Sequence, residues 1–239
     1  MFAVISIGFC GCATDNEFLV NRMHFPRKSD KIPGLVSPRE RSEIIRQKAD
    51  AVEEGSATDR EIIVAQLVLE YRESGDPNIR KDCMAAIAKI PHPRRIDNLK
   101  MGLSDENTSV RITACRGMVR NIAESQGLNN DVEHTLRQLV MADPDVDVRL
   151  AAIQCMRKAG KKASPETLAI LEQCLSDKRA AIQHETMDTL KECTGKDYGP
   201  NVDRWLAHFE HQRGDSDVPA PKERSWAEKL PKPEYTMFR

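Results

Sequence analysis

The stretch Asp145-Val146-Asp147-Val148-Arg149-Leu150-Ala151-Ala152 decides how the rest of the chain is read. Asp143-Pro144 stands just before it, and proline cannot continue a helix, while aspartate can cap the next one. From Arg149 onward the apolar and small residues fall at helical spacing. Val148, Ala152, Ile153, Cys155 and Met156 lie at −1, +3, +4, +6 and +7 from the arginine, which is one helical face.

The same register recurs at Ile79-Arg80, Val110-Arg111 and Ile182-Gln183, at intervals of roughly 30 to 40 residues. Three residues after each anchor stand Cys83, Ala114, Ala152 and Thr186, and six after it Ala86, Gly117, Cys155 and Thr189. All are small, and small residues let a neighbouring helix come close, as stacked helices require. Upstream of each anchor is a turn-forming break: Gly75-Asp76-Pro77, Ser104-Asp105-Glu106-Asn107, Asp143-Pro144-Asp145 and Ser176-Asp177. Before each break the apolar spacing predicts a first helix, over 59–72, 94–103, 131–141 and 165–175. Ser164-Pro165-Glu166 is a helix start with serine as cap and proline in the first turn. Four helix pairs result.

An acidic turn, then Val-Arg, then small residues one turn on: this pattern resembles the HEAT-repeat family, in particular the short bacterial repeats related to phycobilin-lyase HEAT-like proteins. The resemblance runs from Asp59 to about Phe209. It implies an all-α fold, an α-solenoid of about four HEAT-like helix pairs with a capping helix at each end. It also implies a ladder of hydrogen bonds and ion pairs along the turns between helices, formed by Asp76, Arg80, Asp105, Arg111, Asp145 and Arg149. The fourth copy departs from the pattern, with Gln183 in place of arginine and Lys178-Arg179 where acid is expected, so the ladder should end or reverse there.

A stack of helix pairs exposes an apolar face at each end unless it is capped. Ser37-Pro38-Arg39-Glu40 opens a helix expected to run to about Glu54, with Ile44 and Ile45 facing the stack. At the other end Gly195 closes the last repeat, and a short helix over 203–209 places Trp205 and Phe209 on one face as a hydrophobic end cap. The solenoid with its caps is therefore expected over 37–210. Residues 211–239 are rich in proline and charge and read as a disordered tail.

The amino terminus has two readings. Residues 1–12, MFAVISIGFCGC, have an apolar run followed by Phe9-Cys10-Gly11-Cys12, which resembles a truncated lipoprotein signal with Cys12 as the lipid acceptor. No Lys or Arg precedes the run and the run is short, so an unanchored amino terminus in the cytoplasm stands beside it. Residues 13–36 are a linker. Cys83, Cys115, Cys155, Cys174 and Cys193 fall at apolar helical positions, where a free thiol acts as a small hydrophobe.

Composition sets the outer bounds. The chain has 239 residues, 40% of them hydrophobic and 5% aromatic, which disfavours β-sandwiches and barrels. Lys and Arg number 36 against 37 Asp and Glu, for a net charge of −1, so no global field attracts nucleic acid or anionic lipid. A membrane is reached only through a lipid anchor, since no apolar run is long enough to span one. The six histidines are dispersed, and no GxSxG, P-loop, GxGxxG or zinc-ligand spacing occurs. Arg116 and Arg120, one turn apart, make a small basic patch amid enough acids to read as solvated surface. These features lead to a monomeric, non-enzymatic scaffold without cofactor or metal, whose partner is a protein. The alternative implied by the family resemblance alone is a tetrapyrrole (bilin) lyase or lyase chaperone.

Overall fold

A computed structural model describes residues 36–122, 129–160, 163–214 and 221–223. Cys12 and the rest of residues 1–12, read above as resembling a truncated signal, residues 13–35 and most of 211–239 lie outside the described residues. Contacts divide the chain into Met1–Ser37 and Pro38–Arg239, and the second unit carries every described helix.

Among the described residues there are ten helices: α1 Pro38–Val52, α2 Ala57–Glu73, α3 Pro77–Lys89, α4 Arg95–Leu103, α5 Thr108–Ile122, α6 Asn130–Ala142, α7 Val146–Ala159, α8 Pro165–Cys174, α9 Ala180–Thr194 and α10 Val202–Gln212. Local chemistry sets their ends. Ser56, Asn129, Ser164 and Asn201 each accept a hydrogen bond from the amide three residues on, which satisfies a donor that the first turn leaves free. α9 ends at Gly195, whose φ of 72° is left-handed and suits glycine. The predicted first helices match α2, α4, α6 and α8, and the last helix extends beyond its predicted end at 209 to Gln212.

The helices form two layers. α2, α4, α6 and α8 are first helices, and each packs on its partner in the second layer, α3, α5, α7 or α9. Successive second helices pack on one another far more extensively than successive first helices do. The stack is therefore tighter on the second-helix side and closes towards it. α1 extends the second layer by packing on α3, while α10 packs on both α8 and α9.

The core lies between the layers, and the small positions lie deepest in it. Ala114, Ala152, Cys155, Thr186 and Thr189 are fully buried. A Cβ on Gly117 would come within 2.9 Å of the Ala88 side chain, and one on Gly102 within 2.7 Å of Met84 Sδ, so glycine is what the packing of α3, α4 and α5 allows. One expectation fails at the amino-terminal cap. Ile45 is buried, but Ile44 is 42% exposed, because the terminal helix has a neighbour in its layer on one side only and buries a narrower arc.

Replacing Ala152 with Phe forces a ring between α7 and its neighbours. It should cost about 1 to 3 kcal/mol through overpacking, read as a lower urea midpoint at unchanged far-UV circular dichroism. An unchanged midpoint would mean that the second helices are not in close contact there.

Candidate functional site

The turns between first and second helices carry a continuous polar chain. Arg80 reaches from α3 to the next turn, where its Nε and Nη2 each donate to Asp105 at 2.9 Å, and Nη2 also meets Glu106 at 3.0 Å. Arg111 repeats this one unit on, with Nε and Nη2 donating to Asp143 at 2.8 and 3.0 Å. Arg149 then donates to Asp177 at 2.5 Å. Each arginine also ties down its own repeat: Arg80 donates to the carbonyl of Ser74, Arg111 to those of Asp105 and Glu106, and Arg149 to that of Val140. A two-pronged guanidinium thus holds two consecutive turns at once.

The structure separates the acids of the turns into two roles. Those six residues before the anchor, Asp105, Asp143 and Asp177, take the arginine of the preceding repeat. Those four before it cap the second helix: Asp76 accepts from the Asn78 amide at 2.8 Å, and Asp145 from the Asp147 amide at 2.9 Å. Asp76 and Asp145 are therefore helix caps, not arginine partners. Asp143 and Asp177 replace them in the ladder, because the next repeat's turn presents the earlier acid to the incoming guanidinium. Asn107 caps α5 as these aspartates cap their helices, whereas Arg179 gives α9 no side-chain cap.

Both ends of the ladder are written in residue type. Ser74 occupies the acceptor position of the first repeat, where no earlier arginine arrives, and its hydroxyl accepts from the Asp76 amide at 3.2 Å. Gln183 donates to the Asp177 carbonyl at 2.9 Å, which reproduces the hold on its own turn, but it carries no charge onward.

Burial makes these pairs matter. Desolvation would raise the Asp105 carboxyl, yet hydrogen bonds from Arg80, the Asn107 amide and the Tyr71 hydroxyl hold it below the usual carboxylate range. Tyr71 lies 2.9 Å from that carboxylate, and burial followed by this bond pushes its phenol well above the ordinary value. Burial likewise opposes ionisation of Asp177, and the Arg179 amide and Arg149 outweigh it. Removing one partner of such a pair leaves the other as an uncompensated buried charge.

Sequence reasoning missed a second buried polar knot. Glu133 on α6 accepts from the Ser164 amide at 3.1 Å, the Ser164 hydroxyl at 2.7 Å and the Thr167 hydroxyl. Burial would raise this carboxyl, but the Thr167 and Ser164 bonds keep it below the usual range. The signal was faint: an acid in the first turn of a helix reads as solvated unless its partner thirty residues away is known.

At the carboxy-terminal end Trp205 and Phe209 are both buried, and the Trp205 indole donates to the Gly199 carbonyl at 3.2 Å. Tyr198 meets Trp205 edge-on with ring centroids 4.9 Å apart, and its hydroxyl lies 3.2 Å from His208 Nδ1. Burial, followed by nearby cations, lowers the pKa of His208, so it packs as a neutral ring. A depression of about 240 Å³ beside this cluster is bordered by Asp188, Lys191 and Asp197, with Lys191 and Asp197 joined at 3.2 Å. The five described cysteines are buried and unpaired. Desolvation pushes Cys83 up to about 12 and Cys193 up to about 11, so neither is a thiolate near neutral pH. No group of His, Cys, Asp and Glu among the described residues could hold a metal ion.

A model of the HEAT-repeat family matches residues 102–191. No curated protein matches the chain in sequence. Solved structures similar to it include an engineered protein at 17% identity, covering 77% of this chain and 83% of that one with a TM-score of 0.48. The complex of CpcE and CpcF of phycocyanin lyase from Nostoc sp. PCC7120 matches at 18% identity, covering 62% and 98%, with a TM-score of 0.44. Computationally designed armadillo repeat proteins for modular peptide recognition match at 15% identity, covering 76% and 85%, also at 0.44.

Stability should follow the ladder carboxylates. Asp105, Asp177 and Glu133 have folded pKa values below their unfolded ones, so their contribution is complete above about pH 4 to 5 and is lost as pH falls through the folded values. Urea midpoints should fall steeply below about pH 4, and Asp105→Ala should cost about 3 to 5 kcal/mol at neutral pH while flattening part of that acid limb. A neutral-pH cost under about 1 kcal/mol would show that Arg80 finds water instead.

Proposed function

We propose that this chain is a non-enzymatic protein-interaction scaffold, and that the exposed side of the second helices is its working face. The observation that carries this reading is the division between the two sides of each second helix. One side is consumed by packing, with positions +3, +4, +6 and +7 buried in every repeat. The other side presents Ala85, Arg116, Gln154 and Asp188 at the same register across four neighbouring helices, on the side towards which the stack closes. An extended, rigidly spaced row of side chains suits a peptide or protein surface. The depression beside Trp205 supports protein over pigment as the ligand, being bordered by charged residues already engaged in an ion pair.

For location, the apolar run ahead of Cys12 supports tethering at a bacterial cell envelope by lipid on that cysteine. Such an anchor would present the scaffold to partners at one surface.

Two measurements test this reading. A photo-cross-linking residue at Gln154, on the working face, should give an adduct of defined mass in cells, while the same residue at Gln173 on α8 should not. Equal labelling at both positions, or none at Gln154, would overturn the scaffold face. Mass spectrometry of the mature amino terminus should show an acylated Cys12 that disappears in Cys12→Ser. An unmodified terminus in a soluble fraction would place the protein in the cytoplasm.

A further inference from the structure

We infer that the middle of the second-helix face, on α5 and α7, is a docking site for an extended acidic peptide segment of a partner protein. This rests on the scaffold reading above and names the chemistry that the face selects. Arg116 and Arg120 on α5 and Lys158 on α7 are exposed on that face, and none of them has a carboxylate partner among the described residues.

Their neighbours on the same layer behave differently. Lys89 on α3 pairs with Asp50 on α1 at 3.0 Å, Arg157 with Glu185 on α9 at 3.1 Å, and Lys191 with Asp197 at 3.2 Å. Arg116, Arg120 and Lys158 thus stand without a carboxylate beside cations of the same layer that have one. The patch is local in a molecule of net charge −1.

Spacing fits the proposed ligand. Arg116 and Arg120 are four residues apart, which puts them about 6 Å from each other along the helix. Alternate side chains of an extended peptide are about 7 Å apart on one face. A segment with carboxylates at every second residue can therefore meet both arginines, and Lys158, on the adjacent helix about 10 Å away, takes a further one. Val119 on α5 is partly buried beside these arginines in sequence and offers apolar contact to the intervening side chains. Acidic protein is favoured over nucleic acid because three cations neutralise too few phosphates for useful affinity at physiological salt. On the α9 side the patch is bounded by Glu185, Asp188 and Glu192, which would repel any polyanion, peptide or nucleic acid, that ran on past Lys158 and so limit the segment to a few carboxylates.

The test is fluorescence anisotropy with the full chain and a short fluorescein-labelled peptide of alternating glutamate and alanine. Single-stranded oligothymidylate and phosphatidylserine vesicles serve as competing probes. Binding should be salt-sensitive and should weaken at least about tenfold in the Arg116→Gln, Arg120→Gln double variant. It should be unchanged in Arg39→Gln, an exposed cation on α1. Circular dichroism confirms that each variant is folded. The proposal is overturned if the glutamate peptide fails to bind at low salt, if the double variant binds it as well as the natural chain, or if oligothymidylate or vesicles bind more tightly through the same arginines. Cross-linking at Gln154 without peptide binding would sink this inference and leave the scaffold face standing. Loss of both would remove the face itself.

Discussion

Each helix pair has an apolar face that it cannot bury alone, so the second helices must pack on one another, and how close they come governs what else is possible. Small residues three and six positions after each anchor set that distance. Ala152 and Cys155 are fully buried for this reason, and at Gly117 even a methyl group would collide with Ala88. Close packing of the second helices brings successive turns within reach of a single arginine side chain. With bulkier residues at these positions, Arg80 could not span to Asp105 or Arg111 to Asp143.

The ladder is a consequence of that spacing and also its lock. A guanidinium that is nearly buried has to be satisfied on every side, and two turns supply what one cannot: carbonyls from its own repeat and a carboxylate from the next. The ion pairs need not add much net stability against an apolar alternative. They do fix register, since a pair displaced by one residue would strand a charge in the interior. The first repeat starts the chain with Ser74 and the last ends it with Gln183, both uncharged, so no buried arginine or aspartate of the ladder is left at either end without its partner.

Much of this was legible from residue types. Helix positions and the buried face followed from a 3.6-residue period repeated in one register, and the small positions followed from four copies agreeing. The acceptor for each arginine was not legible, because Asp143-Pro144-Asp145 offers two carboxylates two residues apart and both suit a turn. The geometry of the neighbouring repeat decides between them. Ser74 was an available hint, since only the earlier position loses its acid in the repeat that has no arginine before it. Ile44 was misplaced for a simpler reason: the terminal helix has one neighbour in its layer, so its apolar arc is narrower than that of a helix packed on both sides. Glu133 was invisible because its partners lie on α8, and nothing local marks the first turn of α6 as buried.

The repeat therefore sorts its charges by position. Those in the turns are committed to holding the stack and cannot change without loss of register. Those on the outer side of the second helices meet no such demand, and there the four copies diverge most: alanine, arginine, glutamine and aspartate occupy one and the same register position on α3, α5, α7 and α9. Packing cannot be what selects these residues, because the backbone beneath them is equivalent. Variation in side-chain type along a row whose spacing is fixed is what a recognition surface requires, since each helix presents its own group at a set distance from the next. The arginines of α5, which have no carboxylate partner among the described residues, are a point on that row where charge remains to be matched.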